Sequence, residues 1–262
     1  MNRKLYVNFA LSLSLCMVLL LPGCVINIGE TSKAKSERTV HLSAPLQGVT
    51  ILDVQTKIGS ITVKSADVAD CDVIALITVK ARTEEKAREL AEKVEIVTKV
   101  SDDKLTIKAH KPAAISASDL TVDLTIFATR HLNLDCSANV GSIRISDFDG
   151  QIKAATDVGS IFCEEIRAGL NVRANVGSIE VRYANDAPAV FSAEATTNVG
   201  NIEFKGPAKI SAKLSASTNV GSIETARPLT VVGAIGRSVE TTIGEAQGNI
   251  TLRTSVGSIR IK

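Results

Sequence analysis

The most constraining feature of the chain is a short phrase, Val-Gly-Ser-Ile or a near copy of it, that recurs eight times behind a similar lead-in. Its glycines are Gly59, Gly141, Gly159, Gly177, Gly200, Gly221, Gly244 and Gly257. From Gly141 onward, successive glycines are 18, 18, 23, 21, 23 and 13 residues apart. Repeats of this length, with loops of varying size, predict the stacked coils of a β-solenoid.

The columns of the repeat, counted from the glycine, alternate between apolar and polar residues. Around Gly177, the apolar or small residues at −7, −5, −3, −1, +2 and +4 are Leu170, Val172, Ala174, Val176, Ile179 and Val181. A period of two predicts a strand with one buried face on each side of the glycine. Because −1 and +2 are three positions apart, the chain must turn at Gly-Ser for both to face one interior, and glycine gives the backbone that freedom. We therefore predict strand, corner and strand in every coil, with −1 buried.

Asparagine dominates the −2 column, at Asn139, Asn175, Asn198 and Asn219. Stacked asparagines can pass amide hydrogen bonds from one coil to the next. We interpret this column as a ladder that stabilises the stack rather than as a ligand site.

The front third of the chain departs from the repeat. Residues 73–79 alternate as a strand, and Thr83 opens a helix that places Ala87, Leu90, Ala91 and Val94 on one face. Asp102-Asp103 lies between two alternating runs and predicts a hairpin turn. This β-α-β-β segment is predicted to interrupt or cap a mainly β, single-stranded β-helix, for which right-handed winding is favoured.

The N-terminus has the pattern of an export signal. Arg3 and Lys4 precede an apolar stretch, residues 10–21, that is short for a membrane span. The stretch ends in Leu21-Pro22-Gly23-Cys24, which resembles the lipobox of bacterial lipoproteins. The resemblance implies that the signal is cleaved before Cys24 and that Cys24 is the lipid anchor, so the protein is expected on the extracytoplasmic side of a membrane, in the periplasm or at the cell surface.

These patterns divide the chain into four predicted parts. They are a signal peptide at 1–23, a lipidated cysteine with a flexible tether at 24–38, a first repeat strand with the α/β capping segment at 39–112, and solenoid repeats at 113–262.

The composition excludes several kinds of site. The 30 Lys and Arg residues nearly balance the 28 Asp and Glu residues, so no basic footprint points to nucleic acid. The chain has no Trp and only two Tyr, which leaves few platforms for stacking sugars or bases. The three histidines share no metal-ligand spacing, and no motif of nucleophilic or phosphate chemistry is present. We predict no catalytic residue, no metal and no cofactor.

One surface column carries charge that could bind a ligand. Glu180, Glu203 and Glu224 occupy position +3 in three consecutive repeats and would lie about 4.8 Å apart. Such a carboxylate ladder could hold a divalent cation. Arg182 and Lys205, two residues further on the same face, favour neutralisation of the row instead.

The repeated segments KIGSITV, NVGSIRI, DVGSIFC, NVGSIEV, NVGNIEF, NVGSIET and SVGSIRI, preceded by DDKLTI and DLTVDLTI, resemble the bacterial DUF4097 family. The resemblance covers about residues 39–262. It implies a β-helical, adhesin-like envelope protein with a non-enzymatic role, and it brings no site residues with it.

Three functions are open at this stage. The first is a non-catalytic scaffold that contacts an envelope protein or a glycan. The alternatives are a β-helical polysaccharide-active enzyme and an accessory protein of an envelope-stress signalling system. The C-terminal residues 258–262 are predicted to form the exposed last strand. Either Arg260 and Lys262 oppose pairing at this edge by their charge, or another copy or a partner adds a strand to it. We favour the blunted edge and expect a monomer.

Overall fold

Two long β-sheets with ten strands each form the body of the protein. The computed structural model describes residues 33–226 and 237–262. The predicted signal peptide, Cys24 and most of the predicted tether lie outside these residues. Within the described part of the chain, no helix is both long enough and apolar enough to span a bilayer.

In chain order, the elements are β1 (Ala34–Pro45), β2 (Ile51–Ile58), β3 (Ile61–Ser65), β4 (Asp70–Ala81), α1 (Glu84–Glu92), β5 (Glu95–Ser101), β6 (Lys104–His110), a short 3-10 helix (Ala117–Asp119), β7 (Leu120–Ala128), β8 (Asn133–Val140), β9 (Ile143–Ser146), β10 (Ile152–Val158), β11 (Ile161–Ile166), β12 (Leu170–Val176), β13 (Ile179–Tyr183), β14 (Ser192–Val199), β15 (Ile202–Lys205), β16 (Ala212–Val220), β17 (Ile223–Thr225), β18 (Ser238–Ile243), β19 (Gly248–Val256) and β20 (Ile259–Ile261).

Sheet 1 has the strand order β1-β4-β7-β3-β9-β11-β13-β15-β20-β17, and sheet 2 has the order β18-β16-β19-β14-β12-β10-β8-β2-β6-β5. The long middle of each sheet is parallel, from β7 to β17 in sheet 1 and from β6 to β16 in sheet 2. Each repeat contributes one strand to sheet 2, turns at its glycine and contributes the next strand to sheet 1. The predicted strand, corner and strand are confirmed, and the fold is β-helix-like. We call one such pair of strands a rung.

The core lies between the two sheets. The −7, −5, +2 and +4 columns point into it: around Gly177, Leu170, Val172, Ile179 and Val181 are all buried. Neighbouring rungs align these columns residue for residue, so apolar side chains stack into continuous rows.

The last repeat does not occupy the end of the stack. β19 lies between β14 and β16, and β20 lies between β15 and β17. The chain reaches this place because β18 runs antiparallel to β16 and the chain then turns back parallel to it. The prediction that residues 258–262 form an exposed terminal strand was therefore wrong, since β20 is hydrogen-bonded on both sides.

Gly244 is not a corner of the repeat. Its φ is 60°, whereas the φ angles of the other seven repeat glycines lie between 136° and 152°. It follows the antiparallel strand β18 and, together with Ala246 at φ 57°, forms the turn that leads into β19. The structure therefore contains seven corners of the predicted kind within the described residues.

The N-terminal end of the stack is closed by the segment that departs from the repeat. α1 packs on β1 and β4 and buries Ala87, Leu90 and Ala91, while Thr83 caps it by accepting a hydrogen bond from the backbone N–H of Lys86 at 3.2 Å. Arg38 donates from β1 to the carbonyl oxygens at the C-terminal end of the helix. The predicted capping helix and the predicted hairpin between β5 and β6 are both present.

Two predicted boundaries are moved by the strand pairing. β1 begins at Ala34 and pairs along its length with β4, so residues 34–38 belong to the fold and not to a flexible tether. β6 and β7 pair in parallel with β2 and β3, so they extend the two sheets by one layer that has no glycine corner, and this layer crosses the predicted boundary at 112. The capping segment therefore includes β7.

Candidate interaction surface

The corners of the seven rungs stack so closely that only glycine fits at their centre. A Cβ atom on Gly177 would lie 1.9 Å from the carbonyl oxygen of Gly159 in the neighbouring rung. The backbone N–H of Gly177 in turn donates to the carbonyl oxygen of Val199 in the rung on the other side, at 2.8 Å. The close approach recurs at all seven corners, and the N–H bond recurs from Gly59 to Gly257 in the order of the stack, so one edge of the protein is a regular stack of bends.

Threonine in the −3 column locks these corners together from inside. Thr197 is 1% exposed, and its hydroxyl donates to the carbonyl oxygen of Gly177 at 2.9 Å. Thr156, Thr218 and Thr254 make the equivalent bond to the glycine of an adjacent rung. The sequence pattern placed this column inside correctly, but it gave no sign of the hydroxyl's partner.

The +1 column continues the ladder on the other side of the glycine. The Ser160 hydroxyl accepts a hydrogen bond from the backbone N–H of Ser178 at 3.2 Å, and the Ser178 hydroxyl accepts one from the N–H of Asn201 at 3.2 Å. Asn201 accepts from Ser258 in the next rung at 2.8 Å. The serine of the Val-Gly-Ser-Ile phrase thus bonds one rung to the next.

The valines at −1 point into solvent, which corrects the prediction that this column is buried. Each of them is between 44% and 55% exposed: Val140, Val158, Val176, Val199, Val256 and Val220. We call this row the corner ridge. The residues turn outward because the −3 and +2 side chains of the same rung already fill the inside of the bend.

The −2 column runs beside the corner ridge and is also exposed, except at the half-buried Ser255. Asn198 donates a side-chain hydrogen bond to Asn175 at 2.7 Å, and Asn139 donates to Asp157 at 3.3 Å. The predicted asparagine ladder is therefore present in two segments. Together, the −2 and +1 columns give the ridge polar, largely uncharged borders.

The predicted carboxylate ladder is interrupted by the inserted last rung. In sheet 1 the row reads Glu180, Glu203, Arg260, Glu224, since Arg260 of β20 lies between the second and third carboxylates. Arg260 binds Glu224 at 3.0 Å, and Lys262 binds Glu203 at 2.6 Å. Three stacked carboxylates do not occur here, and the order of the rungs is the reason.

The acidic residues of this row are paired with basic residues, but only Arg182 of the two basic residues expected from the sequence takes part, and Lys262 and Arg260 take the place expected for Lys205. Arg182 forms an ion pair with Glu180. The hydrogen bond from Lys262 holds the pKa of Glu203 below its usual value. Among the described residues, no cluster of three or more His, Cys, Asp or Glu side chains could hold a metal ion.

A second charged cluster lies in the loops on the side of the stack away from the corners. Asp147 accepts hydrogen bonds from Ser65 at 2.7 Å, Arg130 at 3.0 Å and Arg167 at 2.8 Å. The pKa of Asp147 is lowered, chiefly by the Ser65 hydroxyl. Arg167 also contacts Asp186 at 3.1 Å. Every acidic member has a basic partner, so we interpret the cluster as a clamp between loops of successive rungs, which sequence spacing could not reveal.

The cysteines of the described residues are free and buried: Cys71, Cys136 and Cys163. Burial raises the pKa of Cys163 to about 12, and it also raises the pKa of Cys136. Both occupy inward columns where other repeats have aliphatic residues, and they act as small apolar side chains.

No protein-family model matches the sequence, and no curated protein matches it. Three solved structures resemble the fold. A provisionally described cell adhesion protein from Clostridium sporogenes is 13% identical, with 87% of this chain and 99% of that chain covered and a TM-score of 0.47. A provisionally described adhesin from Bacteroides fragilis is 16% identical, with 87% and 98% covered and a TM-score of 0.44. A provisionally described lipid binding protein from Parabacteroides distasonis is 13% identical, with 87% and 97% covered and a TM-score of 0.34. Likenesses of this size add nothing to the functional argument.

Proposed function

We propose that the protein is a non-catalytic binding scaffold of the bacterial cell envelope and that the corner ridge is its protein-contacting surface. A lipid on Cys24 would hold the scaffold on the extracytoplasmic side of a membrane, in the periplasm or at the cell surface. We also propose that the chain is a member of the DUF4097 family and that its coils wind in a right-handed sense.

The exposure of the ridge valines is the observation that carries the proposal. A β-branched side chain in a strand normally gains stability by burial, yet six of them lie in one row at about half exposure. Contiguous exposed apolar surface with a polar border is typical of protein contact sites. The aromatic rings that would favour a sugar ligand are not part of this edge, and Tyr183 is only 2% exposed.

A rigid backbone supports the same role. Every corner is bonded to a neighbouring rung through the backbone, and threonine or serine side chains add hydrogen bonds at several of them, so the ridge is fixed before any partner arrives. Preorganised surfaces lose little conformational entropy on binding. A scaffold of this kind needs no reacting group, and the proposal assigns none.

The contact function can be tested in living cells with a photo-reactive phenylalanine derivative in place of Val158. Val190 is the matched control because it is 45% exposed, against 47% for Val158, and lies in a loop away from the corners. We expect protein adducts from position 158 and few from position 190. Equal yields at the two positions would refute the ridge as a contact surface.

The anchor is tested separately by Cys24→Ala, with Cys16→Ala as the control within the same signal segment. We expect Cys24→Ala to leave the detergent phase or to stay unprocessed, whereas Cys16→Ala should be processed and partition like the unmodified chain. If Cys24→Ala is processed normally and still partitions into the detergent phase, Cys24 is not the lipid anchor.

A further inference from the structure

The corner ridge repeats with the spacing of the sheet itself. Successive valines are direct register partners, in the order Val140, Val158, Val176, Val199, Val256 and Val220. Ile58 extends the row at the N-terminal side as the partner of Val140. Seven rungs at about 4.8 Å give an apolar row roughly 29 Å long. A partner can match it rung for rung only if its own side chains repeat at the same distance, and a second copy of this chain has that repeat.

The borders of the ridge favour protein over a lipid surface. Among the residues of the −2 and +1 columns in the seven rungs, only Lys57 and Asp157 are charged, and no aromatic residue is present. Helices and strands that settle on bilayers carry basic residues and Trp or Phe at their borders. Asparagine and serine, by contrast, can each donate and accept, so they can bond to the same residues on another copy.

We propose that two copies of the protein associate through their corner ridges, antiparallel to each other about a two-fold axis that passes beside Val176. This inference rests on the proposed function and names the partner as a second copy. The ridges would pack against each other as dry rows of identical side chains. Val176 lies in the fourth of the seven rungs, which is the middle one, so it meets Val176 of the other copy. Val140 lies in the second rung and Val256 in the sixth, so these two residues meet each other.

The same arrangement brings the −2 columns of the two copies together. Asn175 meets Asn175, Asp157 meets Asn198 and Lys57 meets Asn219, so no charge faces its like. A two-fold interface requires self-complementarity of this kind. The column of asparagines at this edge provides it, because an amide is complementary to another amide.

The area indicates how strong the association is. A row roughly 29 Å long across an edge about 10 Å wide, the distance between two packed sheets, covers about 300 Å² on each copy. Stable dimers bury about 800 Å² per partner, and reversible ones bury less. The dimer is therefore weak in dilute solution and forms when the protein is concentrated on a membrane, where neighbours already share a plane.

The test is oxidative cross-linking of the full chain in cell membranes. Val176→Cys should give a disulfide-linked dimer, whereas Val190→Cys should stay monomeric. The two valines are matched in exposure, since Val176 is 44% exposed and Val190 is 45% exposed. The native thiols of the described residues are buried, and the unmodified chain serves as the blank.

The antiparallel geometry has its own test. Val140→Cys alone should not cross-link, because its two copies would be about 19 Å apart, beyond the reach of a disulfide. Two differently tagged chains, one with Val140→Cys and one with Val256→Cys, should cross-link when they are expressed together. A dimer from Val140→Cys alone would overturn the antiparallel arrangement.

The remaining outcomes separate the two proposals. Cross-linking of Val176→Cys only to a protein of different mass would overturn self-association and leave the contact function standing. Equal dimer yields from Val176→Cys and Val190→Cys would also overturn self-association. If Val176→Cys instead reacts with an impermeant maleimide as fast as Val190→Cys does and gives no adduct, both the inference and the ridge's contact function fail.

Discussion

Replacement of Gly177 by alanine tests whether the corners are held by close packing between rungs. Gly177 has a φ of +151°, and an added Cβ would lie 1.9 Å from the Gly159 carbonyl oxygen and 2.5 Å from its carbon. Both are backbone atoms, so a rung must move by about 1.5 Å to reach an ordinary contact distance. A flexible side chain could yield to the methyl group, but the backbone of a hydrogen-bonded rung cannot do so without loss of its bonds.

The expected loss has two parts. Backbone strain at such a dihedral costs about 1–3 kcal/mol. Movement of the rung also breaks the bond from the Gly177 N–H to Val199, at 2.8 Å, and the bond from Thr197 to the Gly177 carbonyl, at 2.9 Å. Each contributes about 1 kcal/mol. We therefore expect a loss of about 3–5 kcal/mol, which lowers the Tm by about 10 °C in a domain of this size.

Gly48→Ala is the matched control for this experiment. Gly48 also has a positive φ, +76°, but nothing lies within 4 Å of the position its Cβ would take. Gly48→Ala should lower the free energy of unfolding only by the cost of the positive φ, about 1–2 kcal/mol. Calorimetry and urea unfolding of the two variants give both values. If Gly48→Ala and Gly177→Ala lose equal stability, close packing between rungs is not the reason that the corners need glycine, and the reasoning fails.

Three further predictions concern side chains of the stack. Thr197→Val keeps the volume but removes the hydroxyl donor, so urea unfolding should show a loss of about 1 kcal/mol, whereas Thr196→Val on the outer face should be almost neutral. The pKa of Glu203 is lowered in the fold, so its contribution is present above a pH of about 4.3 and is lost as the pH falls through the lower folded-state pKa. Glu203→Gln should therefore be less stable than the unmodified chain at pH 7, and the difference should shrink as the pH falls below about 4.3; a difference that stays constant in acid would contradict this. Burial and raised pKa should leave Cys136 and Cys163 unmodified by maleimide at pH 8 until urea unfolds the chain, and mass spectrometry of the labelled protein checks it.

Local periodicity was enough to predict the rung. The alternation before Gly177 and the break in its period at Gly-Ser forced two strands and a corner, because side chains in a strand point alternately to opposite faces. The capping helix was equally visible, since Thr83 and the apolar residues that follow it have the spacing of one helix face. These features depend on neighbours in the sequence, so the sequence contains them.

The direction of the ridge valines could not be predicted from the pattern. Val176 has the residue type of a core position, but β-branched residues also suit an exposed strand backbone. Whether it points inward depends on how much room the bend has, and that room is taken by Ala174 and Ile179 of the same rung. The candidate interaction surface was therefore invisible until the corner existed in three dimensions.

The order of the rungs is the other feature that only the tertiary structure decided. Each repeat presents the same backbone bonds and the same apolar columns, so any rung can stack on any other with little difference in local energy. The antiparallel strand β18 and the turn at Gly244 send the last repeat between β14 and β16, which inserts Arg260 into the row of carboxylates. The sequence by itself determined the structure of a single rung, because that structure depends on contacts between residues close in the chain. Which rungs stack on each other depends on contacts between distant residues, and repeats this similar carry no local signal for that order.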